Sequence, residues 1–352
     1  MLRIRPLLFV PLFVLALSLG ACRGPGEPSD DVDQAPVLSP PMGEASSRSS
    51  VAGDPWGSAL AAYEAGDYGA ALQAIGEAPG LDSDTRLRVS HASLLLFARR
   101  FDEAKSIVDT IADDPRARAG VRVVRAHLRI NTQDYESARE LAGEVASGPV
   151  ASGVGAPPGY GVFIHELACL AMAWSEANQN EHVRAIRWFD RILDRQADDL
   201  LGLLGRGNSL IALNLLQEAQ ETLRRVLAVH PTNPYALAEL GMVHLKLGDE
   251  EAAETHFQKA LEKDDARYTC PHEGLGLLYL RQGRKDQARD HLERAIRINP
   301  DIEYKKYNGL ARIYLEEGNV AEAERLLEKS IANFPHDAEA RALLKELRGS
   351  SP

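Results

Sequence analysis

Small and apolar residues return along this chain at a near-constant interval, with polar residues filling the positions between them. Aligned on the segment Gly248–Leu261, alanines recur at Ala71, Ala104, Ala138, Ala185, Ala219, Ala253, Ala288 and Ala323, at spacings of 33, 34, 47, 34, 34, 35 and 35 residues. Twelve residues before each stands another small residue: Ala59, Ala92, Ala126, Ala173, Gly207, Gly241, Gly276 and Ala311. Four residues after each comes an apolar one: Ile75, Val108, Ala142, Phe189, Leu223, Phe257, Leu292 and Leu327. Between the two small positions stands Gly66, Asn180, Asn214, Gly248, Gly283 or Gly318, with Arg99 and Gln133 in the second and third units. Pro231, Pro300 and Pro335 close three of the units.

This spacing predicts a helical hairpin in each unit. A first helix ends at the Gly or Asn, which tolerates the left-handed conformation of a helix C-cap. A second helix runs back, and the two small residues allow close approach. Apolar residues at helical spacing beyond the alanine share one face and fill the space between neighbouring hairpins. Proline then stops the second helix.

The pattern resembles the tetratricopeptide repeat, whose period is about 34 residues. The resemblance covers Gly53 to Asp337. It is strongest in repeats five to eight and weakest in repeats two and three. It implies an all-α fold, a right-handed α-solenoid of about eight hairpins. Repeats one to three would occupy residues 53–147 and repeats four to eight residues 162–337. Between them Gly148–Gly161 holds eight Gly or Pro residues among 14 and no charge, and predicts an exposed loop acting as a joint. Residues 338–348 have the periodicity of an amphipathic helix that caps the last apolar face.

The first 52 residues follow another pattern. Arg3 and Arg5 precede a 13-residue apolar run, Leu7–Leu19, interrupted by Pro11 and Ser18. That run is too short to span a hydrocarbon layer of about 30 Å, so residues 1–21 read as a secretory signal segment. The sequence Leu19-Gly20-Ala21-Cys22 resembles the lipobox of bacterial lipoproteins. The resemblance implies cleavage before Cys22 and acylation of Cys22, giving a stable lipid anchor. Residues 22–52 would form the tether, because 14 of residues 23–52 are Gly, Pro or Ser and none is aromatic. Arg23 stands where an Asp favours inner-membrane retention in well-understood sorting systems, which tilts the expectation towards an outer-membrane anchor facing the periplasm.

Charge and composition narrow the function classes. A formal net charge of −11 argues against nucleic acid, which needs a basic face. Only 6% of residues are aromatic, so Ala and Leu must build most of the core. The segment His165–Cys169 half-resembles a zinc-protease helix, but Cys169 replaces the second His and falls on the buried side of a first helix. The ten histidines show no metal-ligand spacing, and no phosphate loop or nucleophile elbow is present. The expectation is no enzyme activity, no cofactor and no metal. With repeats four and seven well separated, Cys169 and Cys270 are expected to remain thiols.

By resemblance, the chain is expected to bind a protein or peptide partner in the groove lined by its first helices. The candidate groove residues are Trp174, Asn208, Tyr235, Met242, Glu273, Leu277, Lys305, Asn308 and Arg312. The Lys and Asn carboxylate clamp of chaperone-binding family members is not expected, because Leu204 stands where its Lys would be and Met242 where a second Asn is sought. A mixed groove of this kind suits an amphipathic segment with acidic side chains for Lys305 and Arg312. The narrower expectation is assembly of outer-membrane barrels or of a type IV pilus secretin. The alternative is an accessory subunit of an envelope enzyme.

Overall fold

The computed structural model describes residues 54–111, 114–150, 157, 159–264, 269–298, 305–333 and 337–349. The signal segment, Cys22 and the tether therefore lie outside the described residues, as does half of the Gly/Pro-rich segment. Helices follow one another in pairs: α1 (Pro55–Glu64) with α2 (Tyr68–Gly76), α3 (Thr85–Phe97) with α4 (Phe101–Thr110), α5 (Arg118–Asn131) with α6 (Tyr135–Ser147), and α7 (Tyr160–Asn178) with α8 (His182–Leu193). The order continues with α9 (Leu200–Ala212), α10 (Leu216–Val229), α11 (Pro234–Leu247), α12 (Glu250–Asp264), α13 (Thr269–Arg281), α14 (Lys285–Ile298), α15 (Lys305–Glu316), α16 (Val320–Asn333) and α17 (Ala338–Gly349). No strand occurs among the described residues.

All eight turns use the same backbone device. Gly66, Gly248, Gly283 and Gly318 have φ between 72° and 83°, and Asn180 and Asn214 have φ of 69° and 61°. Arg99 and Gln133 adopt it too, at 62° and 61°, although neither residue type favours it. In four turns the next residue caps the second helix. Asp67 accepts from the Ala70 amide at 2.9 Å, Asp134 from Ser137 at 3.2 Å, Asp249 from Ala252 at 3.2 Å and Asn319 from Glu322 at 3.3 Å. One short turn thus closes one helix and starts the next.

The chain forms two compact units that meet in sequence between Leu213 and Asn214. In the first, the eight helices α1–α8 form four hairpins and α9 follows. The segment 148–161, expected to be a joint, falls inside this unit. Hairpins three and four share this unit, with His127 Nε2–H donating to the Leu167 carbonyl at 2.9 Å and the His127 and Trp174 rings 5.4 Å apart. Helix α7 also begins at Tyr160, within that segment, after Gly159 with φ of 79°.

The second unit runs from α10 to α17. Its knobs and sockets show how hairpins stack. The Phe257 ring is completely buried between two glycines: a Cβ at Gly241 would lie 2.6 Å from Phe257 Cδ1, and one at Gly274 only 2.2 Å from Cζ. Leu292 repeats the arrangement, 2.6 Å from a Cβ at Gly276 and 3.1 Å from one at Gly309. In the first unit Phe189 seats on Gly205 of α9 in the same way. The residue four after the alanine therefore enters a socket built partly by its own hairpin and partly by the next.

Candidate functional site

The inner face of each unit is the side formed by the first helices of its hairpins. Along the second unit these are α11, α13 and α15. Tyr235 and Met242 on α11 are 6% and 4% exposed, and Glu273 on α13 is 1% exposed. Tyr235 takes part in the start of its helix, its amide donating to Asn233 Oδ1 at 3.0 Å. Leu277, one turn after Glu273, remains half-exposed. Lys305 opens α15, but its side chain lies outside the described residues.

At the end of the chain the capping helix uses this face. Asn308 Nδ2 donates to Asp337 Oδ1 and to Glu339 Oε2, both at 3.2 Å, while Arg312 reaches Glu339 Oε1 at 2.8 Å. Asp337 also accepts from Ser330 Oγ at 2.6 Å and from the Ala340 amide at 3.0 Å, so one carboxylate ties α15, α16 and α17 together. Asn308 is buried, whereas half of the Arg312 side chain stays exposed. On the far side of the cap, Arg348 pairs with Glu324 at 2.8 Å and Glu328 at 2.5 Å.

In the first unit Trp174 is fully buried and Asn208 is 2% exposed. Trp174 belongs to a chain of ring contacts that also includes His127, Phe97, Tyr63, Phe163 and Trp56. Burial divides the nine candidate groove residues. Trp174, Asn208, Tyr235, Met242, Glu273 and Asn308 are buried, and only Leu277 and Arg312 among the described candidates reach solvent. The aromatic cluster was not foreseen.

The chemistry at His165 and Cys169 is that of a core. Cys169 Sγ lies 3.5 Å from His165 Nδ1, and the Arg195 guanidinium lies 3.0 Å from the same nitrogen. Burial pushes the Cys169 thiol up to about 11, and burial together with Arg195 and Arg191 pushes His165 down to about 4. At neutral pH this is a protonated thiol beside a neutral imidazole, the reverse of an activated nucleophile. Among the described residues no group of three or more His, Cys, Asp or Glu side chains is placed to hold a metal ion. No described helix is long and apolar enough to cross a membrane. A cleft of about 620 Å³ between α4 and α5, lined by Lys105, Asp109, Arg125 and Arg129, carries both signs of charge, and Arg125 pairs with Asp109 at 3.8 Å.

Comparison with known proteins agrees with the repeat geometry. Residues 204–267 and 279–347 each match a model of the tetratricopeptide repeat. No curated protein matches the sequence. The solved APC/C hetero-tetramer Cut9–Hcn1 is 19% identical, with a TM-score of 0.65, over 83% of this chain and 55% of that chain. The present chain thus spans about half the length of that relative, and the likeness is one of fold. PilW, a type IV pilus biogenesis factor, is 20% identical over 64% of this chain and 98% of its own, with a TM-score of 0.49. A thermophilic repeat protein from Thermus thermophilus is 22% identical over 52% of this chain and 98% of its own, with a TM-score of 0.46.

Proposed function

Because this chain is a tetratricopeptide-repeat protein with an all-α helical-repeat fold, we propose that it is a lipid-anchored scaffold of a bacterial cell envelope. It holds a protein partner on its first-helix face. The observation that carries the reading is the eightfold recurrence of small, apolar and turn positions, whose matched repeats are protein- and peptide-binding modules. Leu277 gives the second unit an accessible apolar contact on that face, beside the half-exposed Arg312–Glu339 ion pair. The apolar side of an amphipathic segment suits such a contact, and an acidic side chain on it would compete with Glu339 for Arg312.

The anchor is Cys22, at the end of the Leu19–Cys22 lipobox-like sequence. Several acyl chains anchor stably where one does not, since each buried CH₂ contributes about 0.8 kcal/mol. The tether then lets the repeats work away from the bilayer, on the periplasmic side of the outer membrane. Cys22→Ser should abolish incorporation of labelled fatty acid and release the protein from the membrane fraction. Retention of label or of membrane binding would exclude the anchor. Affinity purification from detergent-solubilised envelope should then yield a discrete multi-protein complex. Substrate turnover by the isolated chain would instead make it an enzyme.

A further inference from the structure

In a repeat stack each hairpin normally touches only its neighbours in sequence. Helix α1 breaks that rule. Its apolar side, Trp56, Leu60 and Tyr63, is buried to between 4% and 7% exposure. Trp56 meets Phe163 of α7 edge to face at 5.6 Å, and Tyr63 meets the same ring at 5.1 Å and 89°. Leu60 Cδ2 lies 3.1 Å from where a Cβ would stand on Gly159. Just beyond α1, the same construction at Gly66 falls 3.1 Å from Leu200 Cδ2 at the start of α9. Tyr63 also packs on Phe97 of α3 at 5.2 Å. Hairpin one therefore bears on hairpin two through Phe97 and also on hairpin four, two hairpins beyond its sequence neighbour, through Phe163 and Gly159.

Trp56, Leu60 and Tyr63 stand at i, i+4 and i+7 of α1, the spacing by which an amphipathic helix anchors in a groove. We propose that the face formed by Phe97 of hairpin two and by Gly159 and Phe163 of hairpin four is a helix-binding surface whose resident occupant is α1, and that a protein partner displaces α1 with an amphipathic helix carrying large apolar residues at the same spacing. Helix α1 suits such an exchange. It is ten residues long, includes Gly57, and belongs to the end hairpin of the described repeats, which has one sequence neighbour instead of two. Isolated helices shorter than about 12 residues are marginal in water, so α1 owes its order to packing on its partner α2, where Tyr63 meets Tyr68 at 5.9 Å, together with this contact. The covering contacts are aromatic and aliphatic, and any helix of matching spacing reproduces them.

The inference rests on the protein-binding reading above and is tested with the full chain in two steps. Hydrogen exchange of the native protein should show the amides of residues 58–64 opening about ten-fold faster than those of residues 165–175, consistent with α1 leaving an intact surface. Equal rates in the two segments would make α1 part of the core and overturn the proposal. The second step uses a fluorescent peptide spanning residues 54–65. It should bind a W56A/L60A/Y63A variant about ten-fold more tightly than the natural chain, because the resident helix no longer competes. The same peptide carrying Leu60→Glu should not bind. A variant that keeps native exchange in hairpins two to four yet fails to bind the peptide would also overturn the proposal. Were the variant unfolded, the exchange measurement on the natural chain alone would decide. Partner capture that depends on Leu277 and Arg312, with α1 exchanging as slowly as α7, would sink this inference and leave the scaffold reading standing.

Discussion

Replacing Gly274 by Ala tests the stacking register at its tightest point. The added Cβ would lie 2.2 Å from Phe257 Cζ and 2.5 Å from Cε1, far inside van der Waals contact. The ring has no room to retreat, because its other side faces Gly241, where a Cβ would stand 2.6 Å from Cδ1. Overpacking a filled core typically costs about 1–3 kcal/mol, and this geometry belongs at the upper end. Against that, exchanging a helical Gly for Ala gains about 1 kcal/mol. The net expectation is a loss of about 2 kcal/mol. Phe257→Leu shortens the knob and removes the clashing atoms, so in the Gly274→Ala background it should cost less than alone, with a coupling of about 1–2 kcal/mol. Gly143→Ala is the control, since its Cβ would make only an ordinary 3.8 Å contact with Met172 Sδ and should stabilise. Urea unfolding followed by far-UV circular dichroism reads the totals. Hydrogen exchange in α12 and α13 locates the change, which matters because long repeat arrays need not unfold in one step. If Gly274→Ala stabilises the protein as Gly143→Ala does, the socket is misassigned.

Two further outcomes follow from the backbone and from a buried imidazole. Arg99 and Gln133 hold φ near 60° with exposed side chains. An L-residue in that region costs about 1–2 kcal/mol, of which Gly gives back about 0.5–1 in chain entropy, so Arg99→Gly and Gln133→Gly should each stabilise by about 0.5–1 kcal/mol. Thermal unfolding checks this, and a fall in midpoint for both would contradict the turn assignment. His127 is buried and its pKa is lowered from 6.5 to about 4, chiefly by desolvation and against the pull of its bond to the Leu167 carbonyl. The unfolded chain therefore takes the proton first. The contribution of His127 is fully present above about pH 6.5 and is lost towards pH 4, amounting to roughly 3 kcal/mol. Denaturant titrations across that window should flatten in a His127→Gln variant, and an unchanged slope would place the linkage elsewhere.

The repeat itself was legible from residue spacing because each position answers to a local requirement. All eight of the recurring alanines are fully buried, as are the eight residues four positions later. The turns at Arg99 and Gln133 kept the left-handed conformation that the periodicity required, although their residue types gave no sign of it. The other half of each socket was hidden. Gly205, Gly274 and Gly309 matter only because Phe189, Phe257 and Leu292 of the preceding hairpin press against them. Burial along the inner face was hidden for a related reason. Helical periodicity shows which residues point inward, but not that a distant segment covers them. Trp56 and Phe163 meet across more than a hundred residues of sequence, and Asn308 is engaged by Asp337 and Glu339 of the cap.

The claim that a protein partner lies on the first-helix face is tested most directly by site-specific photocrosslinking in intact cells. A photoreactive amino acid at Leu277, half-exposed on α13, is compared with one at Arg294, exposed on the second helix of the same hairpin. The account predicts a discrete protein adduct from position 277 and none from position 294. An adduct from position 294 alone, or none from position 277 while the protein remains in a complex, would contradict it.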